Sequence, residues 1–355
     1  MSSNLAIELA VESPAVNSMP LQLFSTCPSS SHHGDDYLEK LIQVAQWSER
    51  AGCVGSLIYT DNSLVDPWLI SQVLIQNTQF LCPLIAVQPV YLHPYSVAKM
   101  VSTLGKWYGR RVFLNMVAGG FKNDLTALEV SCPHDQRYQR LVEYTTIIQR
   151  LLDGGAPVTL EGEFYRVQNL TLNPPLAPEL RGGVLMSGSS VAGMAAARET
   201  GAIAVKYPEP PESRQSLPPD SGPCGVRIGI VTRPDEDEAW TVALERFPED
   251  RKGQITRTVA SKISDSAWHK RLSEIQDTQS RPRQTYWLHP FGNYHTNCPY
   301  LVGSYDNVAA ELAKYISLGY STFILDIPAA EEEFYHMGRA FEAAALRHAA
   351  AQRCL

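Results

Sequence analysis

The chain has 355 residues, 44% of them hydrophobic and 19% charged, with a formal net charge of −7. That apolar content excludes a disordered chain, and the acidic balance argues against nucleic acid as the main partner, since phosphate backbones need a basic face. No apolar run approaches the ~18 residues a membrane span requires, and the seven cysteines form no C-x-x-C pair, so a soluble protein of the reducing cytoplasm is expected.

Residues 1–20 read as a solvated lead-in, because Glu8 and Glu12 interrupt their apolar part and no basic start precedes it. From residue 21 to 350 the pattern is one domain of repeated strand–helix units. Residues 21–24 form a first strand, and 37–51 a helix with Leu38, Leu41, Ile42 and Ala45 at helical spacing. Strands follow at 56–59, 80–87 and 112–117, alternating with helices at 68–76 and 95–108. A long helix spans 137–152 and a hairpin 158–167, turning at Glu161-Gly162. Short strands at 184–187, 202–205 and 228–232 precede a final helix at 308–318 and strand at 322–326. These eight strands are too continuously apolar for a sheet with one wet face, which predicts a parallel (β/α)8 barrel buried on both faces. Residues 208–224 are rich in proline and serine and read as a surface loop. Residues 247–300 are polar, with one helical stretch at 260–275, and read as an insertion folded over the active site as a lid.

Barrel chemistry sits at the C-terminal ends of the strands. There the segment Met186-Ser187-Gly188-Ser189-Ser190 runs from a strand into an alanine-rich helix. Backbone N–H groups and serine hydroxyls at a helix start would bind a phosphate; the same residues would equally serve as an ordinary N-cap. Arg137-Tyr138 offers a second phosphate contact, or a surface arginine beside a packing tyrosine. The small residues ending 115–120 permit a flat ring to approach the backbone, and would also suit a plain tight turn. His32-His33 and His289 with His295 complete no zinc spacing, so no metal is expected. No G-x-S-x-G, Walker loop or G-x-G-x-x-G is present, which disfavours a serine hydrolase or a Rossmann dehydrogenase.

Taken in order, several segments resemble the bacterial luciferase-like flavin-dependent monooxygenases, in particular their alkanesulfonate branch. They are Leu57-Ile58-Tyr59-Thr60 with Asp66-Pro67-Trp68, the strand Phe113 to Gly119, Arg137-Tyr138, Gly188-Ser189-Ser190 and Glu209-Pro210-Pro211-Glu212. Asp237-Glu238-Ala239-Trp240 and Leu301-Val302-Gly303-Ser304 continue the series. The resemblance implies a two-component monooxygenase, in which a separate flavin reductase delivers reduced FMN and oxygen is activated on it. It places Arg137, Tyr138, Gly188, Ser189 and Ser190 at the phosphate, Asn115, Ala118 and Gly119 beside the flavin, and Arg227 in catalysis. His289 or His295 would assist proton transfer if the lid brings them in, and a homodimer or homotetramer is implied.

The departures bear on the substrate. Leu64 stands where the sulfonate enzymes carry a pocket cysteine, Gly229 where they have histidine, Ile327 where they have tyrosine, and Tyr207 where they have tryptophan. Their lid arginine has no counterpart near Tyr294. With Tyr59, these positions describe a less polar pocket, which disfavours a desolvated sulfonate. The expected substrate is a small acyl or amino-acid-derived intermediate of secondary metabolism, carried on a carrier protein. The competing readings are a deazaflavin-dependent oxidoreductase and a non-catalytic flavin-binding barrel.

Overall fold

The computed structural model describes residues 21–213, 222–263, 266–278 and 283–353. Twelve strands are described: β1 Gln22–Thr26, β2 Gly55–Ile58, β3 Cys82–Val87, β4 Val112–Val117, β5 Val158–Glu161, β6 Arg166–Leu170, β7 Arg181–Ser187, β8 Ile203–Lys206, β9 Cys224–Arg233, β10 Tyr286–Trp287, β11 Tyr300–Ser304 and β12 Tyr320–Leu325. Eight of them pair in parallel in the order β1-β2-β3-β4-β7-β8-β9-β12, and β12 returns to β1 through Gln22 opposite Thr322. The sheet therefore closes into the (β/α)8 barrel read from the apolar runs. Closure leaves no edge strand, which is why each of the eight can be apolar on both faces.

Alternation along the strands sets the site. Side chains point to opposite faces with period two, so every second residue faces the barrel axis. Phe24, Leu57, Leu84, Phe113, Leu185, Val205 and Ile324 meet there as a packed plug. Phe24 and Phe113 cross edge to face at 5.2 Å, an arrangement worth ~0.5–1.5 kcal/mol beyond area burial. Two residues further along the same strands come Tyr59, Ala86, Asn115, Ser187, Tyr207 and Asp326. The layer above the plug is thus largely polar, and it forms the mouth.

The outer helices follow the sequence pattern. Helix α1 (Tyr37–Arg50) buries Leu41, Val44 and Ala45, and α2 (Pro67–Gln76) starts at Asp66, whose carboxylate accepts from the N–H groups of Trp68 and Leu69. Helix α3 (Pro94–Tyr108) ends at Gly109 with φ 59°, a left-handed cap that glycine adopts without a Cβ penalty. A short α4 (Lys122–Ala127) leads to the long α5 (His134–Asp153), and α6 (Val191–Thr200) follows β7. The last helix, α12 (Glu332–Arg353), is tied to β9 by the buried pair Arg233–Glu333. No described helix is long and apolar enough to cross a membrane.

The stretch 247–300 differs from its expectation. In place of one helix at 260–275 it holds α8 (Arg251–Ile263) and α9 (Ala267–Thr278), after α7 (Glu236–Arg246), and then the short α10 (His289–Gly292). It ends in β11, which was not expected as a strand; α11 (Tyr305–Ser317) follows. Strand β9 starts at Cys224, not at 228, so Arg227 lies within the strand and not ahead of it. Its first half pairs with β12 and β8, while Gly229 to Arg233 pair in parallel with β11. One strand therefore serves two sheets. Val231, Trp240, Phe247, Trp287, Tyr300 and Val302 form a small second core at that fork. The proline-rich loop falls mostly at 214–221, outside the described residues; before it, Pro211–Ser213 make one 3-10 turn.

Candidate active site

A cavity of about 250 Å³ opens at the C-terminal ends of the barrel strands, with Leu57, Val205 and Ile324 from the plug as its floor. One wall is the run Val117-Ala118-Gly119-Gly120 leaving β4. Gly119 has φ 88°, and its lack of a side chain leaves the wall open to a flat ring. Below it, Asn115 Oδ1 accepts a 2.9 Å hydrogen bond from Ser187 Oγ, which fixes the amide so that its NH2 is the end left for a ligand.

The opposite end is the start of α6. Ser190 is its N-cap, with Oγ accepting from Gly193 N–H at 3.1 Å. The neighbouring Ser189 Oγ is sealed from solvent and has no hydrogen-bond partner among the described residues. The two readings of this segment are thus divided between two serines: Ser190 caps the helix, and Ser189, which lines the cavity, keeps an unmatched hydroxyl. Tyr138 of α5 lies against the same turn. A Cβ at Gly188 would sit 2.4 Å from its hydroxyl, and one at Gly193 would sit 3.1 Å from its ring. The glycines therefore admit the tyrosine to the helix start. Free helix N–H groups, a buried unpaired hydroxyl and a phenol fit a phosphate monoester such as that of FMN.

Above the floor stands Arg227, with Tyr59 at 5.6 Å below its guanidinium and Tyr207 hydrogen-bonded to it. Asp326 is 3.7 Å away, both side chains being about one-tenth exposed. Asp326 Oδ2 in turn accepts from Thr296 Oγ1 at 2.6 Å and Tyr300 Oη at 2.9 Å. Burial opposes the Arg227 charge, but Tyr207 and Asp326 outweigh it and hold the guanidinium above its ordinary range. Gly229 explains itself here: a Cβ at that position would lie 2.2 Å from the Tyr300 ring. Where the sulfonate enzymes have a histidine, this chain makes room for a tyrosine from β11.

The 247–300 segment contributes Trp268 and His269 from α9 to the cavity wall. Trp268 stacks on Tyr207 at 3.7 Å and 14°, and Arg271 binds Glu209 at 3.1 Å, tying the helix to the segment after β8. His269 is buried, its Nδ1 unpartnered among the described residues; burial, aided by the nearby Arg257, lowers its pKa from 6.5 to about 4. Neither Trp268 nor His269 stood out in the sequence, since only burial against Tyr207 and Phe291 distinguishes them.

The expected residues divide plainly. Tyr59, Asn115, Ala118, Gly119, Tyr138, Gly188, Ser189, Ser190, Tyr207, Arg227 and Tyr294 all line the cavity. Arg137 does not; it is buried at the start of α5, where it donates to the Cys132 carbonyl at 3.0 Å. Leu64 faces a smaller neighbouring cleft with Cys27 and Tyr59. The Ile327 carbonyl accepts from Arg246, away from the cavity. His289 lies outside as well, stacked on Trp287 and hydrogen-bonded to Asn293. His295 faces Asp250 at 3.6 Å in a shallow groove shared with Tyr294.

Comparison with known proteins adds four findings. The family model described as luciferase-like monooxygenase matches residues 19–322. A protein of Niallia circulans named 4-(gamma-L-glutamylamino)butanoyl-[BtrI acyl-carrier protein] monooxygenase BtrO is 31% identical over 331 residues, covering 91% of this chain and 96% of that one. Among solved structures, the EDTA monooxygenase EmoA of Chelativorans sp. BNC1 superposes with a TM-score of 0.70 at 16% identity, over 92% of this chain and 94% of that one. An F420-dependent secondary alcohol dehydrogenase superposes with a TM-score of 0.63 at 16% identity, over 92% and 99%.

Proposed function

The chain belongs to the luciferase-like monooxygenase family, and from that premise we propose that it is a two-component enzyme that hydroxylates an acyl group held on a carrier protein, using reduced FMN from a separate reductase. It is a monooxygenase, as its relatives are named. The carrier-bound acyl substrate is supported by the name of the 31%-identical relative. The observation that carries the reading is the joining, in one cavity, of the phosphate cradle at Ser189 with a mostly apolar floor and a single guanidinium.

In this reading Ser189, Tyr138 and the α6 N–H groups hold the FMN phosphate, and Ala118-Gly119 border the ring. Bound reduced FMN supplies the electrons by which one oxygen atom enters the substrate and the other leaves as water. Arg227 fixes the substrate's polar end, Asn115 orients the flavin edge, and the Trp268–Tyr207 stack keeps water from the mouth. The single domain over 21–350, the cytoplasmic setting and a homodimer or homotetramer belong to the same proposal.

Anaerobic titration with reduced FMN tests it, followed by oxygen and an acyl-carrier-protein thioester. The expected result is saturable binding and a gain of one oxygen atom in the carrier's intact mass. Binding of reduced deazaflavin but not reduced FMN would replace this reading with the oxidoreductase one. Binding without oxygen transfer to any acyl carrier would leave the non-catalytic barrel.

A further inference from the structure

Arg227 is the sole arginine or lysine among the described residues that line the cavity. It is not an uncompensated cation. Asp326 stands 3.7 Å from it on the adjoining strand end, in surroundings that are about nine-tenths buried. Asp326 is itself fixed by two hydroxyl donors, Thr296 from the segment leading into β11 and Tyr300 at the start of β11. Tyr300 reaches it because Gly229 leaves space for its ring. The Arg227 Nε–H has no partner among the described residues.

A buried arginine with a matched carboxylate is a pair with no net charge, and the acidic side chain that lines the cavity, Asp61, adds no positive one. An incoming carboxylate or sulfonate would then bring an unbalanced negative charge into a low-dielectric space and meet Asp326 as well. A carbonyl oxygen brings no net charge and can accept a hydrogen bond from the guanidinium. We propose that Arg227 and Asp326 act as a charge-balanced clamp that selects a neutral carbonyl, such as the oxygen of a thioester or amide, and rejects anions. Asp326 is the positioning residue, and Tyr300 with Gly229 is the device that installs it. This deepens the function proposed above and rests on it for the substrate class, since a carrier-bound acyl chain presents such carbonyls.

Ligand binding without flavin or oxygen separates this proposal from the redox reading. Saturation-transfer NMR would compare butanamide and S-butanoyl-N-acetylcysteamine with butanesulfonate and butanoate. In the native protein the neutral probes bind and the anions bind at least about tenfold more weakly, a discrimination of the size expected when a like charge faces a buried site. Asp326→Asn, close to isosteric, removes this discrimination by raising anion affinity about tenfold or more, because Arg227 is then unmatched. Tyr300→Phe removes only the hydroxyl and moves the preference in the same direction by a smaller factor. A thermal melt shows whether each variant is folded, and a merely structural role for Asp326 would weaken all probes alike. Equal or tighter native binding of the sulfonate overturns the proposal, as does an unchanged preference in folded Asp326→Asn and Tyr300→Phe. Failure of oxygen transfer, with the native preference and its loss in Asp326→Asn intact, would overturn the monooxygenase reading and leave the clamp standing.

Discussion

Ser189 and Ser190 are adjacent and chemically identical, yet their surroundings give them different work. Ser190 spends its hydroxyl on Gly193 N–H, so Ser190→Ala removes an N-cap and is expected to cost ~1 kcal/mol of stability, read by urea denaturation. Among the described residues Ser189 Oγ has no partner to lose. Ser189→Ala is expected to leave stability unchanged and to weaken reduced-FMN binding by roughly tenfold to a hundredfold, the loss of ~1.5–3 kcal/mol for a hydrogen bond to a charged group. Gly229 is a third residue whose role depends on a neighbour. Gly229→Ala drives a methyl into the Tyr300 ring and is expected to cost ~1–3 kcal/mol. In a Tyr300→Leu background that cost falls, and the double-mutant cycle measures the coupling. The sequence showed Gly229 as a departure from the sulfonate enzymes, but the residue that takes its place in space, Tyr300, is far along the chain. Asp326 was equally hidden. It lies two residues beyond Ile324, on the inward side of the barrel, and only register and burial mark it.

At the scale of elements, legibility followed burial on both faces. Runs such as 82–87 and, apart from Asn115, 112–117 are apolar because each barrel strand is covered by plug and helix alike. Helices α8 and α9 are polar on most faces, so their boundary near residue 266 left no clear period. Strand β11 is five residues with an internal glycine, and it is a strand because β9 extends past the barrel to receive it. Helix α9 carries a pH consequence of its own. His269 is held neutral by burial, with Arg257 adding to the effect, its pKa falling from 6.5 to about 4. Between those values the unfolded chain binds a proton that the folded one refuses, so stability rises with pH across that window and falls as acid is added. His269→Gln is expected to flatten this part of the melting-temperature profile between pH 4 and pH 6.5. A profile parallel to the native one would show that His269 takes up its proton in the folded state.

Over the whole molecule, the barrel supplies rigid strand ends and the 247–300 segment supplies the cover. At the mouth they meet through the Trp268–Tyr207 stack, the Arg271–Glu209 ion pair and the hydrogen bonds of Thr296 and Tyr300 to Asp326. Trp268→Ala is expected to leave flavin binding near native while admitting water. Oxygen would then be consumed with more hydrogen peroxide released and less product formed, roughly severalfold in the ratio, as water exclusion protects reactive intermediates. Peroxide and product assays on the same reaction check it, and an unchanged ratio would assign water exclusion to other parts of the lid.

The fork in β9 limits how this scaffold can be recombined. Substrate range in barrels is often changed by trading loops, because loops hang from strand ends without altering the sheet. Here the exchangeable stretch finishes in a strand of its own, zipped to Gly229–Arg233. A chimera that replaces 247–304 without supplying such a strand would strip β9 of its partner and bare a row of backbone donors and acceptors beside Val231. Such an edge invites pairing between molecules. Transplants from other barrels therefore need their second crossover either ahead of Tyr300, which keeps the native strand, or beyond Ser304, carrying a strand along with the cover.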